Sequence, residues 1–362
     1  MTPGGLYVGG DFTDAGGIPD ADRIATWNGS SWSTVSSATS QIWKGGVLDV
    51  AVHEGKVYAG GSFTDAGPPG GVSDADFLAV WNGVSWQPFC DREVGTGPTF
   101  GANVTSLEIV GETLYVGGEF QNGAGILSAD YLLACDLATG HSRSTVADST
   151  TAFFGPVYAL TADSNGTLYA GGGFTNLGGP SSVADFVAQR PAAGAWQPMG
   201  ANGGAITTFV DGLTAVGTDV YVGTRANDVA GIAQADHVAK WNASGWSAVG
   251  ADSGGGNGWF PATTSINDLA GDGSNLFVTG SFQNANGDAR ADNVAFFDGT
   301  SWHPLGSNGA GDGPWSGTGH ALALVDRQLY AAGSFTSAGG DQQARSVASF
   351  ALSQVIAYPS PR

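Results

Sequence analysis

Val57–Phe63 reads VYAGGSF, and the pattern Leu/Val-Tyr-x-Gly-Gly-x-Phe runs through the whole chain. It appears as LYVGGDF (Leu6–Phe12), LYVGGEF (Leu114–Phe120) and LYAGGGF (Leu168–Phe174), and as the weaker copies VYVGTRA (Val220–Ala226), LFVTGSF (Leu276–Phe282) and LYAAGSF (Leu329–Phe335). The aromatic at its second place falls at Tyr7, Tyr58, Tyr115, Tyr169, Tyr221, Phe277 and Tyr330, in steps of 51 to 57 residues. A fixed period near 50 built from short strands is the signature of a β-propeller. The expected fold is therefore all-β, a seven-bladed β-propeller with four antiparallel strands per blade.

Around Val57–Phe63 one whole blade is legible. Val47–Val52 is an apolar run turned by His53-Glu54-Gly55, and Lys56–Phe63 is the second strand. A loop rich in Gly, Pro and Asp spans Thr64–Asp76. Phe77–Trp81 and Ser85–Phe89 follow as strands joined at Asn82-Gly83, a strong hairpin signal. Asn28-Gly29 and Asp298-Gly299 repeat that turn, and Asn242-Ala243 is a degraded copy. With strands A to D counted from the axis outward, the A–B and C–D hairpins share one end of the blade. The B–C loops and the long D–A links share the other, called the top here. The Gly-Gly pairs of strand B leave room for close blade packing. Trp27, Trp81 and Trp241 in strand C, with Trp32, Trp86, Trp196, Trp246 and Trp302 in strand D, are expected to pack between blades.

The repeat units are approximately 1–40, 41–97, 98–150, 151–203, 204–256, 257–313 and 314–362. Length alone would allow two or three domains, but seven like units closing one ring imply a single domain over 1–362. The first unit lacks strand A. Gln354–Tyr358 (QVIAY) reads either as strand D of the last blade or as that missing strand; the first is preferred, because a parallel neighbour needs a longer crossover.

Composition narrows the partners. Twelve Lys+Arg stand against 32 Asp+Glu, a formal charge of -20. Such a chain repels phosphate backbones and anionic membrane surfaces, so no nucleic acid partner and no membrane insertion are expected. No run of about 18 apolar residues is present. Met1-Thr-Pro-Gly-Gly lacks the basic and apolar regions of a signal peptide, and the chain reads as a mature fragment or an excised domain. Sixty Gly would suggest disorder, but they recur in register with the strands. Cys90 and Cys135 are too few for a disulfide framework and suit no zinc site. They read either as two buried thiols or as a pair meeting across neighbouring blades.

The repeat resembles the kelch and galactose-oxidase-like propellers. It is most similar to bacterial and fungal surface proteins with repeats of the form LYVGGxF…AGG…IAxWNGxSW, among them the cortical polarity-marker family. The residues that carry the likeness are LYVGGDFTDAGG (Leu6–Gly17) with IATWNGSSW (Ile24–Trp32), and VYAGGSFTDAG with LAVWNGVSW in the second unit. The likeness covers nearly the whole chain and implies an extracellular or cell-envelope protein. It speaks to fold far more than to activity. Units three, four and five depart from it. Unit three has Cys135-Asp136 for Trp-Asn and no strand-D Trp, unit four has Gln189-Arg190, and unit five has Thr224-Arg225. The copper chemistry of galactose oxidase does not carry over, because Cys90 and Cys135 are assigned to outer strands.

Two features repeat on the top. An Ala-Asp precedes strand C at Asp22, Asp76, Asp130, Asp185, Asp236 and Asp292, and only the last unit breaks it, with Arg345. Clustered carboxylates with loop carbonyls are hard-oxygen ligands, so a ring of Ca²⁺ sites is one reading. The other is that each Asp caps backbone N–H groups of its own loop, and recurrence in blade after blade favours it. The second feature is an aromatic in each D–A link: Trp43, Phe100, Phe154, Phe209, Trp259 and Trp315. Flat apolar rings among hydrogen-bond acceptors suit sugar binding; wedging between blades is the structural alternative. Five histidines are scattered, and only His237 and His320 are placed near the top. No nucleophile elbow, phosphate loop or zinc motif occurs. The expected function is a non-catalytic extracellular binding or structural module that meets a glycan or a surface protein through its top face. The alternative is a hydrolase or lyase acting on a polysaccharide with paired Asp residues on that face.

Overall fold

The computed structural model describes residues 5–36, 43–67, 72, 74–90, 99–146, 152–177, 184–200 and 205–352. They form an all-β, seven-bladed propeller of antiparallel sheets. Blade one has three strands, β1 (Leu6–Gly9), β2 (Ile24–Trp27) and β3 (Trp32–Thr34). Blade two has β4 (Val47–His53), β5 (Lys56–Gly61), β6 (Leu78–Trp81) and β7 (Trp86–Pro88). Blade three has β8 (Val104–Val110), β9 (Thr113–Gly118), β10 (Leu132–Asp136) and β11 (Ser142–Ser144). Blade four has β12 (Val157–Ala162), β13 (Leu168–Gly172), β14 (Val187–Arg190) and β15 (Gln197–Pro198). Blade five has β16 (Val210–Val216), β17 (Asp219–Thr224), β18 (Val238–Asn242) and β19 (Gly245–Ala248). Blade six has β20 (Ser265–Gly271), β21 (Leu276–Ser281), β22 (Val294–Phe297) and β23 (Trp302–Pro304). Blade seven has β24 (Gly319–Val325), β25 (Gln328–Gly333) and β26 (Val347–Ala351). The expected last strand at Gln354–Tyr358 lies outside the described residues.

The chain divides into two compact units, residues 1–160 with 173–182 and 193–196, and residues 161–172, 183–192 and 197–362. Within the first, β4 packs on β8; within the second, β16 packs on β20 and β20 on β24. Leading strands of successive blades are thus neighbours. The glycines of the pattern explain how they come so close. A Cβ on Gly60 would sit 2.5 Å from Cγ1 of Val104, and one on Gly117 would sit 2.8 Å from Cγ1 of Val157, each on the next blade's leading strand. Blade six carries Thr279 in place of that glycine, and the facing residue of blade seven is Gly319 instead of Val. Volume is exchanged across the contact, as close packing demands.

The tryptophans also act between blades. Nε1 of Trp86 donates to the Val35 carbonyl (3.0 Å), Nε1 of Trp246 to that of Met199 (2.8 Å), and Nε1 of Trp302 to that of Val249. Each acceptor lies at the end of the preceding blade. Within a blade, Trp27 pairs with Trp32, Trp81 with Trp86 and Trp241 with Trp246 across the C–D hairpin. That hairpin is wider than a two-residue turn. Asn82 N–H donates to the Ser85 carbonyl, and Asn82 Oδ1 accepts from the N–H groups of Val84 and Ser85. Gly83 sits at φ 93°, where glycine is favoured.

Cys90 and Cys135 form a disulfide with a Cα–Cα distance of 5.5 Å, tying the end of blade two to β10. Among the described residues no helix is long and apolar enough to cross a membrane; the assigned helical elements are four 3-10 turns of three residues each.

Candidate functional site

The B–C loops are held by the repeated aspartates. Oδ1 of Asp22 accepts from the Asp14 N–H (2.8 Å), Asp76 from Asp65 (2.7 Å), Asp130 from Asn122 (2.7 Å), Asp236 from Asp228 (2.8 Å) and Asp292 from Asn284 (2.6 Å). Each donor has positive φ, between 50° and 56°. An Asp or Asn opens the loop because a short polar side chain tolerates that left-handed conformation. The residue after each Ala-Asp is left-handed too: Arg23, Phe77, Tyr131, Phe186, His237, Asn293 and, after Ala-Arg, Ser346 lie at φ 61–64°. Asp185 is also partnered. The second oxygen of Asp236 accepts from Gly258 N–H in the following D–A link (3.3 Å). Burial and the neighbouring carboxyl of Asp312 hold Asp292 above the usual carboxylate range.

The link aromatics divide into two groups. Trp43 (5% exposed), Trp259 (6%), Trp315 (3%) and Phe100 (1%) are buried. Trp43 packs edge-on against Phe63 and Trp86, Phe100 against Phe120, and Trp315 stacks on Phe335. They fill the space over the Phe that ends the repeat motif. Of the two readings of the link aromatics, these four follow the structural one, because a ring this buried offers no face to a sugar. Phe154 (50% exposed) and Phe209 (40%) remain open. In blade four the wedge is Phe153, which packs on Phe174 and Trp196. In blade six it is shared between Trp259 and Phe260, with Phe260 on Phe282.

Blade five alone lacks both halves of this wedge. Ala226 stands where the motif has Phe, and both Ala226 and Ile206 in the link are buried. At the motif's sixth place stands Arg225. Its Nε and Nη2 donate to Asp211 Oδ2 (2.7 Å) and Oδ1 (3.2 Å), and its guanidinium lies 5.6 Å from the Phe209 ring centre. Asp211 is a bulge residue. The leading strands shift register at Val47/Asp49, Val104/Ser106, Val210/Gly212, Ile266/Asp268 and Gly319/Ala321. The extra residues are Leu48, Thr105, Asp211, Asn267 and His320. A bulge re-aims the side chain it carries.

Beside Arg225 lies an open hollow of about 520 Å³ within the second unit. Thr263, Ser265, Asn267, Ser281 and Thr318 line it with hydroxyl and amide groups. Ser265 Oγ donates to Asn267 Oδ1 (3.0 Å), and Asn267 Nδ2 donates to the Gly319 carbonyl (2.8 Å). Two residues past Thr318, exposed His320 places Nε2 2.8 Å from Ser334 Oγ.

No protein-family model matches the sequence, and no curated protein sequence matches it. Solved structures do. The extracellular domain of a putative hybrid two component system from B. thetaiotaomicron aligns over 90% of this chain and 35% of its own, at 13% identity and a TM-score of 0.50. An extracellular domain titled as a putative one component system from that organism aligns over the same shares at 13% and 0.49. The computationally designed Ika8 protein aligns over 80% and 81%, at 12% and 0.40. The chain thus spans about a third of the B. thetaiotaomicron domains. At this identity the first likeness supports the propeller fold and nothing finer.

Sequence reasoning placed His320 near the top but missed Arg225 as a site residue and the bulges altogether. Arg225 was visible as a departure from the repeat; a bulge leaves no mark on a hydrophobic pattern. His237 is fully buried, and burial pushes its imidazole pKa down. Among the described residues no group of three His, Cys, Asp or Glu is placed to hold a metal ion.

Proposed function

We propose that this chain is an extracellular binding module that meets a glycan through its top face, without chemistry of its own. The hollow beside Arg225 carries the reading: it is shallow and lined by hydroxyls and one amide, and the guanidinium at its edge lies 5.6 Å from the exposed Phe209 ring. Sugars are recognised by such mixed donor–acceptor groups together with an apolar surface. A hydrolase needs two carboxylates flanking the scissile bond; the residues lining this hollow include none, and the nearby Asp211 is held by Arg225. The Cys90–Cys135 disulfide agrees with an oxidising compartment. So do the likeness to kelch-type surface repeats and the extracellular position of the domain aligned at a TM-score of 0.50. A single domain over 1–362 completes the reading. A glycan-array screen of the full chain, with and without calcium, tests it. Saturable binding to any glycan supports the reading, and a blank array under both conditions overturns it.

A further inference from the structure

We infer that the hollow of the second unit is a subsite for one uncharged pyranose residue, built largely from positions that the repeat leaves variable. The inference rests on the glycan reading above and gives it a place and a substrate class.

Repetition sorts the residues. A side chain that every blade needs for packing recurs in blade after blade, as the loop-capping aspartates and wedge aromatics do. At the sixth motif position the blades carry Asp11, Ser62, Glu119, Gly173, Arg225, Ser281 and Ser334, so the fold does not dictate that residue. The bulge position varies in the same way, with Asp211, Asn267 and His320 in this unit. These varied residues meet at the hollow: Arg225 and Ser281 from the motif, Asn267 from a bulge, and Asp211 paired to Arg225.

The chemistry selects a neutral ligand. Asp211 cancels the charge of Arg225, and the chain's -20 repels anions at a distance. Arg225 gives Nε and Nη2 to Asp211; its side chain is 52% exposed, and Nη1 has no partner among the described residues. The other polar lining groups, five of them hydroxyls, donate or accept as required, which matches the hydroxyls of a sugar. A volume of about 520 Å³ is in the range of small-ligand sites.

Isothermal titration of the full chain with the methyl glycosides of glucose, galactose, mannose and glucuronate tests the inference. We expect saturable binding of a neutral glycoside, weaker binding of the glucuronide, and at least a tenfold loss of affinity in Ser281→Trp, which fills the hollow. Arg225→Gln is the second variant, and melting curves confirm that each is folded. Unchanged affinity in both folded variants overturns the site, while a positive array leaves the glycan reading standing. Preference for the glucuronide, or no binding of any neutral glycoside, overturns the substrate class, and a blank array overturns both readings together.

Discussion

Cys90 and Cys135 are bonded across the boundary between blades two and three, where the incoming blade has no strand-D tryptophan. Elsewhere Trp86, Trp246 and Trp302 reach back to the preceding blade with an indole N–H. Cys135 pairs with Leu114 across the sheet just as Trp81 pairs with Val57, so it occupies the strand-C tryptophan position. A covalent link replaces a packed ring and its hydrogen bond.

That replacement sets the first expectation. The disulfide closes a loop with a sequence separation of 45, and loop-closure entropy for that length is worth about 4 kcal/mol. Cys135→Ser should lower the denaturation midpoint accordingly. Reductant should lower the melting temperature of the parent chain and leave that of the variant unchanged.

Trp86→Phe keeps a ring at 1% exposure but loses the bond to the Val35 carbonyl. A lost hydrogen bond that strands a buried carbonyl costs roughly 1–3 kcal/mol. Urea denaturation of the variant should show a loss in this range with an unchanged slope.

Asp130→Ala removes the acceptor of the Asn122 N–H and should cost about 1 kcal/mol, the usual size for a lost side-chain cap. The loss should be the same with and without calcium. A variant that melts normally without calcium, yet no longer gains stability when calcium is added, would favour the metal reading of these loops.

Stability should fall from acid to neutral pH. Burial pushes the Asp49 carboxyl up to about 6 and the Glu108 carboxyl, with the Asp49 charge adding to it, up to about 8. A folded state that raises a carboxyl pKa holds its proton more tightly than the unfolded chain does. Its contribution is therefore greatest below the ordinary carboxylate pKa and is lost as pH rises toward 8. Melting temperatures between pH 4.5 and 8 check the slope, and Glu108→Gln should flatten it. An unaltered slope would assign it to the net charge alone.

The fold was legible because its signal is repeated. Close packing requires Gly60 and Gly117 where Val104 and Val157 approach, and such requirements return in each blade. The fate of the link aromatics was not legible. Trp43 and Phe154 occupy similar places in their links, yet one is 5% and the other 50% exposed. A one-residue offset, Phe153 taking the wedge, decides which ring is buried. Register of that kind is fixed by three-dimensional packing, and composition carries no trace of it. The Cys pairing was one of two open readings, settled by how blades two and three meet.

On the proposed reading, residues that keep the repeat hold the fold, and residues at its variable positions hold the ligand. The ligand-induced rise in melting temperature, measured on the parent chain, Asp130→Ala and Arg225→Gln with a saturating neutral methyl glycoside, tests this most directly. Asp130→Ala should melt lower than the parent yet keep the full rise on adding the glycoside. Arg225→Gln should melt near the parent and lose most of the rise. A full rise in Arg225→Gln, or its loss in Asp130→Ala, would contradict the account.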